Sequence, residues 1–190
     1  MDVLEAIRER RAVRSFLPRP VAEATLRALL DAAVQAPSAR NMQPWSFVVV
    51  EDRDVLKRIS RETIRRLAAD PYWRMYASFH DPAFDIFYGA PALVVICARR
   101  NGFDPAGDCY LAGQNLMLAA HALGLATCPV GLAREELGAA GFRQELSLPD
   151  GVDPVLPIVV GYGARQAERT SRRPPLIHAW LHGAGGPRTG

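Results

Sequence analysis

Apolar residues along this chain follow two rhythms. Val3, Leu4 and Ile7 fall at helical spacing behind Asp2, a side chain suited to capping a helix start. Residues 22–35 repeat that spacing with Leu26, Leu29, Leu30, Ala33 and Val34 on one face, and Pro37 stops the helix. Continuous apolar, largely β-branched runs at 47–50, 92–98 and 155–162 read instead as buried strands. A charged helix carrying Val55, Leu56, Ile59 and Ile64 separates the first two of them. Residues 108–123 are apolar almost all round, which predicts a buried central helix terminated by Gly124. Gly113 and several alanines in it would admit a second helix at close range, as a dimer core requires. The adjoining ATCPVGL, 126–132, predicts a further strand.

Between the second helical region and the 92–98 strand lies an aromatic segment, 72–88, with Tyr72, Trp73, Tyr76, Phe79, Phe84, Phe87 and Tyr88 punctuated by Pro71 and Pro82. It fits either a mobile lid of rings over a flat ligand or an aromatic patch packed across a dimer interface. The last residues, GAGGPRTG at 183–190, are too rich in glycine to pack and are expected to form a flexible tail behind one domain at 1–182.

Composition narrows the picture. At 190 residues, 49% of them hydrophobic, the chain holds one domain with a real core, without linker or internal repeat. The net charge of +3 hints at nucleic acid or an anionic membrane, but basic and acidic residues are interspersed from Arg53 to Arg74 and no basic stripe interleaved with aromatics occurs. Neither partner is expected. No apolar signal segment leads the first helix and no apolar run is long enough to span a bilayer, so the expected location is the cytoplasm. Cys97, Cys109 and Cys128 are odd in number, widely spaced and set in apolar surroundings, and read as reduced core thiols. Lys57 is the sole lysine, which leaves Schiff-base chemistry one unpromising candidate.

Two stretches carry candidate chemistry. Arg10, Arg11 and Arg14 gather three guanidinium groups within five residues. Guanidinium meets a phosphate monoester with planar, bidentate donors that lysine cannot reproduce. The same cluster also reads as a solvated basic face at a helix end. The second stretch is the loop APSARNMQPW at 36–45. Ser38 can bond its own backbone, and Pro44 restricts Gln43 to extended conformations. Asn41 and Gln43 then offer amides that both donate and accept, as the pyrimidine edge of a flavin ring requires. An ordinary helix-to-strand turn is the alternative.

With RRAVRSF at 10–16, APSARNMQPWSFVVV at 36–50, DCYLAGQNLMLAAHALGLATC at 108–128, PVGL at 129–132 and VVGYG at 159–163, the chain resembles the FMN-dependent nitroreductase family over nearly its whole length. The resemblance implies an α+β, three-layer fold with a central, mostly antiparallel sheet flanked by helices, in an intertwined homodimer with FMN in clefts at the subunit interface. It implies electron transfer from NADH or NADPH through the flavin to a small aromatic or quinone acceptor. By motif position, Arg10, Arg11 and Arg14 would contact the FMN phosphate and the flavin's polar edge. Pro37, Ser38 and Asn41 would reach the flavin from the other subunit, with Ala39 and Gln43 of the same loop among the binding residues. The backbone of Pro129, Val130 and Gly131 would lie near the reactive face, and Arg172 or Arg173 would add a phosphate contact. Three positions depart from the pattern: Ala12, within the binding strip, replaces a frequent serine, Val130 an acidic residue of some members, and Thr170 a frequent basic one. Trp180 would anchor the tail on the partner subunit.

Other chemistries lack support. GYGARQ at 161–166 lacks the third glycine of a dinucleotide fingerprint, no phosphate-cradling GxxxxGK[ST] occurs, and no GxSxG surrounds Ser15, Ser38 or Ser46. His178 and His182 stand four apart, as metal ligands on a helix would, yet no glutamate accompanies them. No metal is expected, and the protein supplies no obligatory acid or base because a flavin carries the redox reactivity. The same fold also serves reductive dehalogenation of aromatics or fragmentation of the flavin, and a flavin-binding sensor without turnover is a third reading.

Overall fold

Four strands, β1 (Trp45–Val50), β2 (Ala92–Arg99), β3 (Ala126–Pro129) and β4 (Val152–Gly161), form one antiparallel sheet in the order β1-β2-β4-β3. They belong to a computed structural model that describes residues 1–100, 103–165 and 170–181. The helices are α1 (Val3–Glu9), α2 (Glu23–Ala33), α3 (Arg53–Ala69), α4 (Pro105–Ala122) and the short α5 (Arg134–Leu137) and α6 (Ala140–Glu145).

Side chains of β2 alternate between two cores, as the pleat dictates. Ala92, Val94, Ile96 and Ala98 pack with Leu26 and Leu29 of α2 and Cys109, Ala112 and Leu116 of α4. Leu93, Val95 and Cys97 pack on the other face with Leu56 and Ile59 of α3, Leu137 of α5 and Phe142 of α6. Helices thus cover both faces, giving three layers. Residues 92–97 are wholly buried, which explains why the strand reads as a continuous apolar run rather than an alternating one.

Local signals set the element ends. Asp2 Oδ1 accepts the Glu5 N–H at 2.9 Å, and Asp52 Oδ1 accepts those of Asp54 and Val55 at the head of α3. Gly124 adopts φ +74 and closes α4, where an L side chain would be strained. Two prolines, Pro154 and Pro157, sit inside β4, where it pairs with β2 alone. β3 ends opposite Ile158, and the Pro157 carbonyl points past that end to accept the Val130 N–H at 2.8 Å. N–H and C=O of one residue face the same strand edge, so the missing Pro157 donor faces a side without a ladder.

Several expectations need correction. The strand predicted over 126–132 stops at Pro129, because Val130 turns its N–H to Pro157 and the chain enters a 3₁₀ turn at Gly131–Ala133. α2 ends at Ala33, ahead of Pro37. Gly113 does not face a second helix: a Cβ there would lie 2.3 Å from Leu156 Cδ2 and 3.4 Å from Ile158 Cδ1, both of β4. α4 is buried against the sheet and against α2, not all round; on its remaining face Tyr110 and Leu111 are 49% and 47% exposed. The aromatic segment divides. Phe79 and Phe87 are buried within this chain, whereas Tyr72 and Tyr76 are exposed. Consecutive rings touch from Tyr72 through Trp73, Tyr76, Phe79 and Phe84 to Tyr88. His178 lies in non-helical chain, so helical spacing does not apply to it, and His182 and the tail at 183–190 lie outside the described residues.

The close approach of α4 to β4 generates a test. Gly113→Val, which adds a branched side chain against Leu156, is expected to lower stability by about 1–3 kcal/mol through overpacking, read as a reduced urea midpoint at unchanged slope.

Candidate functional site

The arginine cluster hangs from the end of α1. Arg10 closes that helix, its N–H bonding the Ala6 carbonyl at 3.0 Å. The chain then runs along the sheet: Ala12 bridges Thr127 in parallel, the Val13 N–H donates to the Thr127 carbonyl at 3.0 Å, and the Leu17 N–H to that of Tyr162 at 2.8 Å. This strip fixes the three guanidiniums against β3. It does not bring all three to one place.

Arg10 and Arg11 line a cavity of about 480 Å³ together with Val13, His121, Gly124, Thr127 and Arg165. Burial, then Arg11, then Arg172 push the Arg10 pKa down from its ordinary value, so Arg172 stands within electrostatic reach of Arg10. Arg173 is exposed. One terminal nitrogen of Arg11 turns back on the carbonyls of Arg8 and Arg10. The Nε atoms of Arg10 and Arg11 are shielded from solvent without a protein partner. Guanidinium only donates, so this set suits an anion rich in acceptors.

Arg14 lies apart from that cavity. It hydrogen-bonds Tyr88, whose phenol pKa is raised by burial and by Cys128 and pulled down by Arg14. Burial likewise raises the Cys128 thiol, with Arg14 and Arg10 opposing, so both guanidiniums stand within electrostatic reach of Cys128.

The loop at 36–43 is held by its own polar groups. The Gln43 N–H donates to Ser38 Oγ at 2.9 Å and the Asn41 N–H to the Ser38 carbonyl at 2.9 Å, while Pro37 is exposed. Gln43 is not extended as Pro44 implied. Its φ is +46, and Arg40 and Asn41 also take positive φ, at 50 and 55. The bonds to Ser38 and from Arg99 to the Gln43 carbonyl, 2.8 Å, overrule the local preference. Gln43 Nε2 also donates to Asn41 Oδ1 at 3.2 Å, so the two amides engage each other. Beneath the loop, the Ala39 N–H donates to both carboxylate oxygens of buried Asp108, at 3.2 and 3.3 Å.

Asp108 stands in the first turn of α4, whereas His121 of the arginine cavity stands in its last. The helix has 18 residues, about 27 Å of rise. Loop and cavity therefore occupy opposite ends of one strut.

The third group is Pro129, Val130 and Gly131. Pro129 has no N–H, and that of Val130 already serves Pro157, its side chain 4% exposed in the core. Of the three, Gly131 alone can offer a backbone donor, and a Cβ on it would meet nothing within 4 Å.

Asp108 and His121 escaped the sequence reading, and Tyr88 entered it only as one ring of the aromatic segment. Each is a single polar group in an apolar or aromatic setting, and no local spacing marks it. Among the described residues, no group of three or more His, Cys, Asp or Glu side chains could hold a metal, and no helix is long and apolar enough to cross a membrane.

A sequence model described as "Nitroreductase family" matches residues 7–162. A Methanothermobacter thermautotrophicus protein, whose name joins NADH dehydrogenase with NAD(P)H nitroreductase, is 35% identical over 183 residues, spanning 94% of this chain and 86% of that one. A Desulfitobacterium hafniense nitroreductase solved with bound FMN superposes with a TM-score of 0.77 at 28% identity, covering 93% of this chain and 94% of its own. A Bacteroides fragilis nitroreductase with bound FMN reaches 0.83 over 96% and 99%, and at 23% identity it speaks for the fold.

The Asp108 contact predicts a local effect. Asp108→Ala removes both acceptors of the Ala39 N–H and is expected to cost about 1–3 kcal/mol, with the loss of hydrogen-exchange protection concentrated in 38–43. Asp108→Asn keeps a carbonyl acceptor there and should lose less.

Proposed function

The chain belongs to the nitroreductase family, and from that premise we propose that it is an FMN-dependent oxidoreductase passing electrons from NADH or NADPH to nitroaromatics, quinones or similar flat acceptors. The observation that carries the reading is that Arg10 and Arg11, two guanidiniums whose Nε atoms are shielded and unpartnered, line one cavity. Like charges desolvated together repel, and a phosphate dianion relieves both the repulsion and the missing hydrogen bonds.

When bound, FMN supplies the two-electron chemistry between donor and acceptor. The chain's own residues then hold and shield. Arg10, Arg11 and Arg172 take the phosphate. Arg14, tethered by Tyr88, presents a positive charge where negative charge builds up on the ring's polar edge. Tyr88, its pKa raised, keeps its proton at neutral pH. Gly131 offers the free backbone donor beside the reactive face, and its lack of a side chain admits the ring. Donor and acceptor use one opening in turn, which gives ping-pong kinetics.

The loop Pro37–Asn41 cannot join the arginine cavity of its own chain across α4. In this reading it serves the cavity of a second copy, so the working unit is a homodimer with the cofactor between subunits. Apolar residues left open on the single chain fit that arrangement: Val3, Leu4 and Ile7 of α1, Leu111 of α4, and Leu176, Trp180 and Leu181 of the C-terminal segment are each more than 45% exposed. Trp180 of that segment would anchor on the partner.

An anaerobic visible spectrum with added FMN, before and after NADH and then NADPH, tests the proposal. Bound flavin should bleach with at least one nicotinamide. Flavin that binds yet stays oxidised would replace the reductase by a binding protein, and absence of binding would overturn the cofactor. Arg14→Ala should weaken FMN affinity by about 2–3 kcal/mol in a fluorescence titration.

A further inference from the structure

The arginine cavity has one wall that the phosphate reading leaves unused. His121 lies in the last turn of α4, where the Leu125 N–H bonds the Ala120 carbonyl at 2.8 Å and Gly124 turns the chain toward β3. That turn sets His121, Gly124, Leu125, Ala126 and Thr127 along the same cavity as Arg10 and Arg11. His121 Nε2 is shielded from solvent and has no protein hydrogen-bond partner. A buried ring nitrogen in that state is unfavourable by an amount comparable to a lost hydrogen bond. It shares the condition with the Nε atoms of Arg10 and Arg11, and all three residues line one cavity. Two of the three are obligate donors, so a ligand common to all must be an acceptor, and an imidazole completes the set by donating from Nε2.

We propose that His121 is a further ligand of the phosphate monoester, donating from Nε2 to a phosphate oxygen that Arg10 and Arg11 also hold. This rests on the FMN reading above and adds a residue to it. The charged residues that line the cavity with His121 are Arg10, Arg11 and Arg165, joined by Met1 with its terminal ammonium, which favour an anion, and Glu9, which opposes one. The cations outnumber the acid.

Because the contact is to the phosphate alone, FMN and riboflavin separate it from general damage. Dissociation constants of both flavins are measured by fluorescence for the full chain and for His121→Ala, His121→Gln and Arg10→Ala. His121→Ala should raise the FMN constant roughly tenfold, the usual size of one charge-assisted hydrogen bond, and leave riboflavin unchanged. His121→Gln, whose amide reaches with a donor, should restore much of the loss. Equal weakening of both flavins in either variant, or unchanged FMN affinity in His121→Ala, would overturn the role. If His121→Ala fails to fold, His121→Leu, which keeps bulk without a donor, decides: an FMN-to-riboflavin affinity ratio lowered about tenfold with riboflavin binding intact supports the contact, and a ratio within twofold of wild type overturns it. Arg10→Ala tests the parent reading separately. If it leaves the preference for FMN over riboflavin intact, the cavity is not the phosphate site at all.

Discussion

Helix α4 lies so close to β4 that a Cβ at Gly113 would fall 2.3 Å from Leu156. That contact sets the depth of the helix on the sheet, and the helix in turn sets the positions of both halves of the site. Asp108 at its head grips the loop through the Ala39 N–H, and His121 at its foot borders the arginine cavity. A strut packed at this distance moves only if Leu156 and Ile158 repack, so loop and cavity keep a fixed spacing. Precision at the two ends therefore derives from an apolar contact in the middle.

The electrostatics run against this rigidity. Arg10 is pressed toward Arg11 and Arg172 while partly buried, an arrangement that burial and like charge both disfavour. Such a cluster is tolerated where the surrounding backbone over-determines it, and here the strip from Ala12 to Leu17 is fastened to Thr127 and Tyr162 by main-chain bonds. The loop carries a second local conflict in the positive φ of Arg40, Asn41 and Gln43, held by Ser38, Arg99 and Asp108. Conflict at two places, each braced by neighbours with no such strain, is the pattern expected where a ligand completes the balance.

How much of this was legible before folding depends on the range of each signal. The Asp2 cap, the Gly124 stop and the buried β2 run are local or periodic, and the residues themselves declare them. The position of the arginines at the end of a helix followed from the same reading. Gly113 was visible as small, but its neighbour was not, since a small residue serves a sheet as readily as a second helix. Gln43 was misread because its conformation answers to Ser38 and to Arg99, fifty-six residues away, rather than to Pro44. α5 and α6, of four and six residues, are too short to leave a periodic trace. Asp108 and His121 were hidden for a related reason: single polar residues in an apolar helix acquire meaning only when the chain brings a loop or a cavity to them.

Separation of the half-sites has a thermodynamic consequence. If each cofactor is held by the arginine cavity of one copy and the loop of another, cofactor binding and association are a single linked equilibrium. A ligand that binds the assembled pair and not the separate chains stabilises the pair by RT ln(1 + [L]/Kd), so occupancy draws chains together even where their apolar faces alone would hold them weakly. The reverse would also hold in that arrangement: exposed Val3, Leu4, Ile7 and Leu111 would favour association, and association would bring the loop of one copy to a cavity of the other already shaped by α4. The rigid strut makes this coupling effective, because a loop that could swing to its own cavity would let a lone chain bind. In the proposed arrangement the contact of Leu156 with Gly113 would keep the loop at the far end of α4 from its own chain's cavity, so that a site needing both would draw them from two chains.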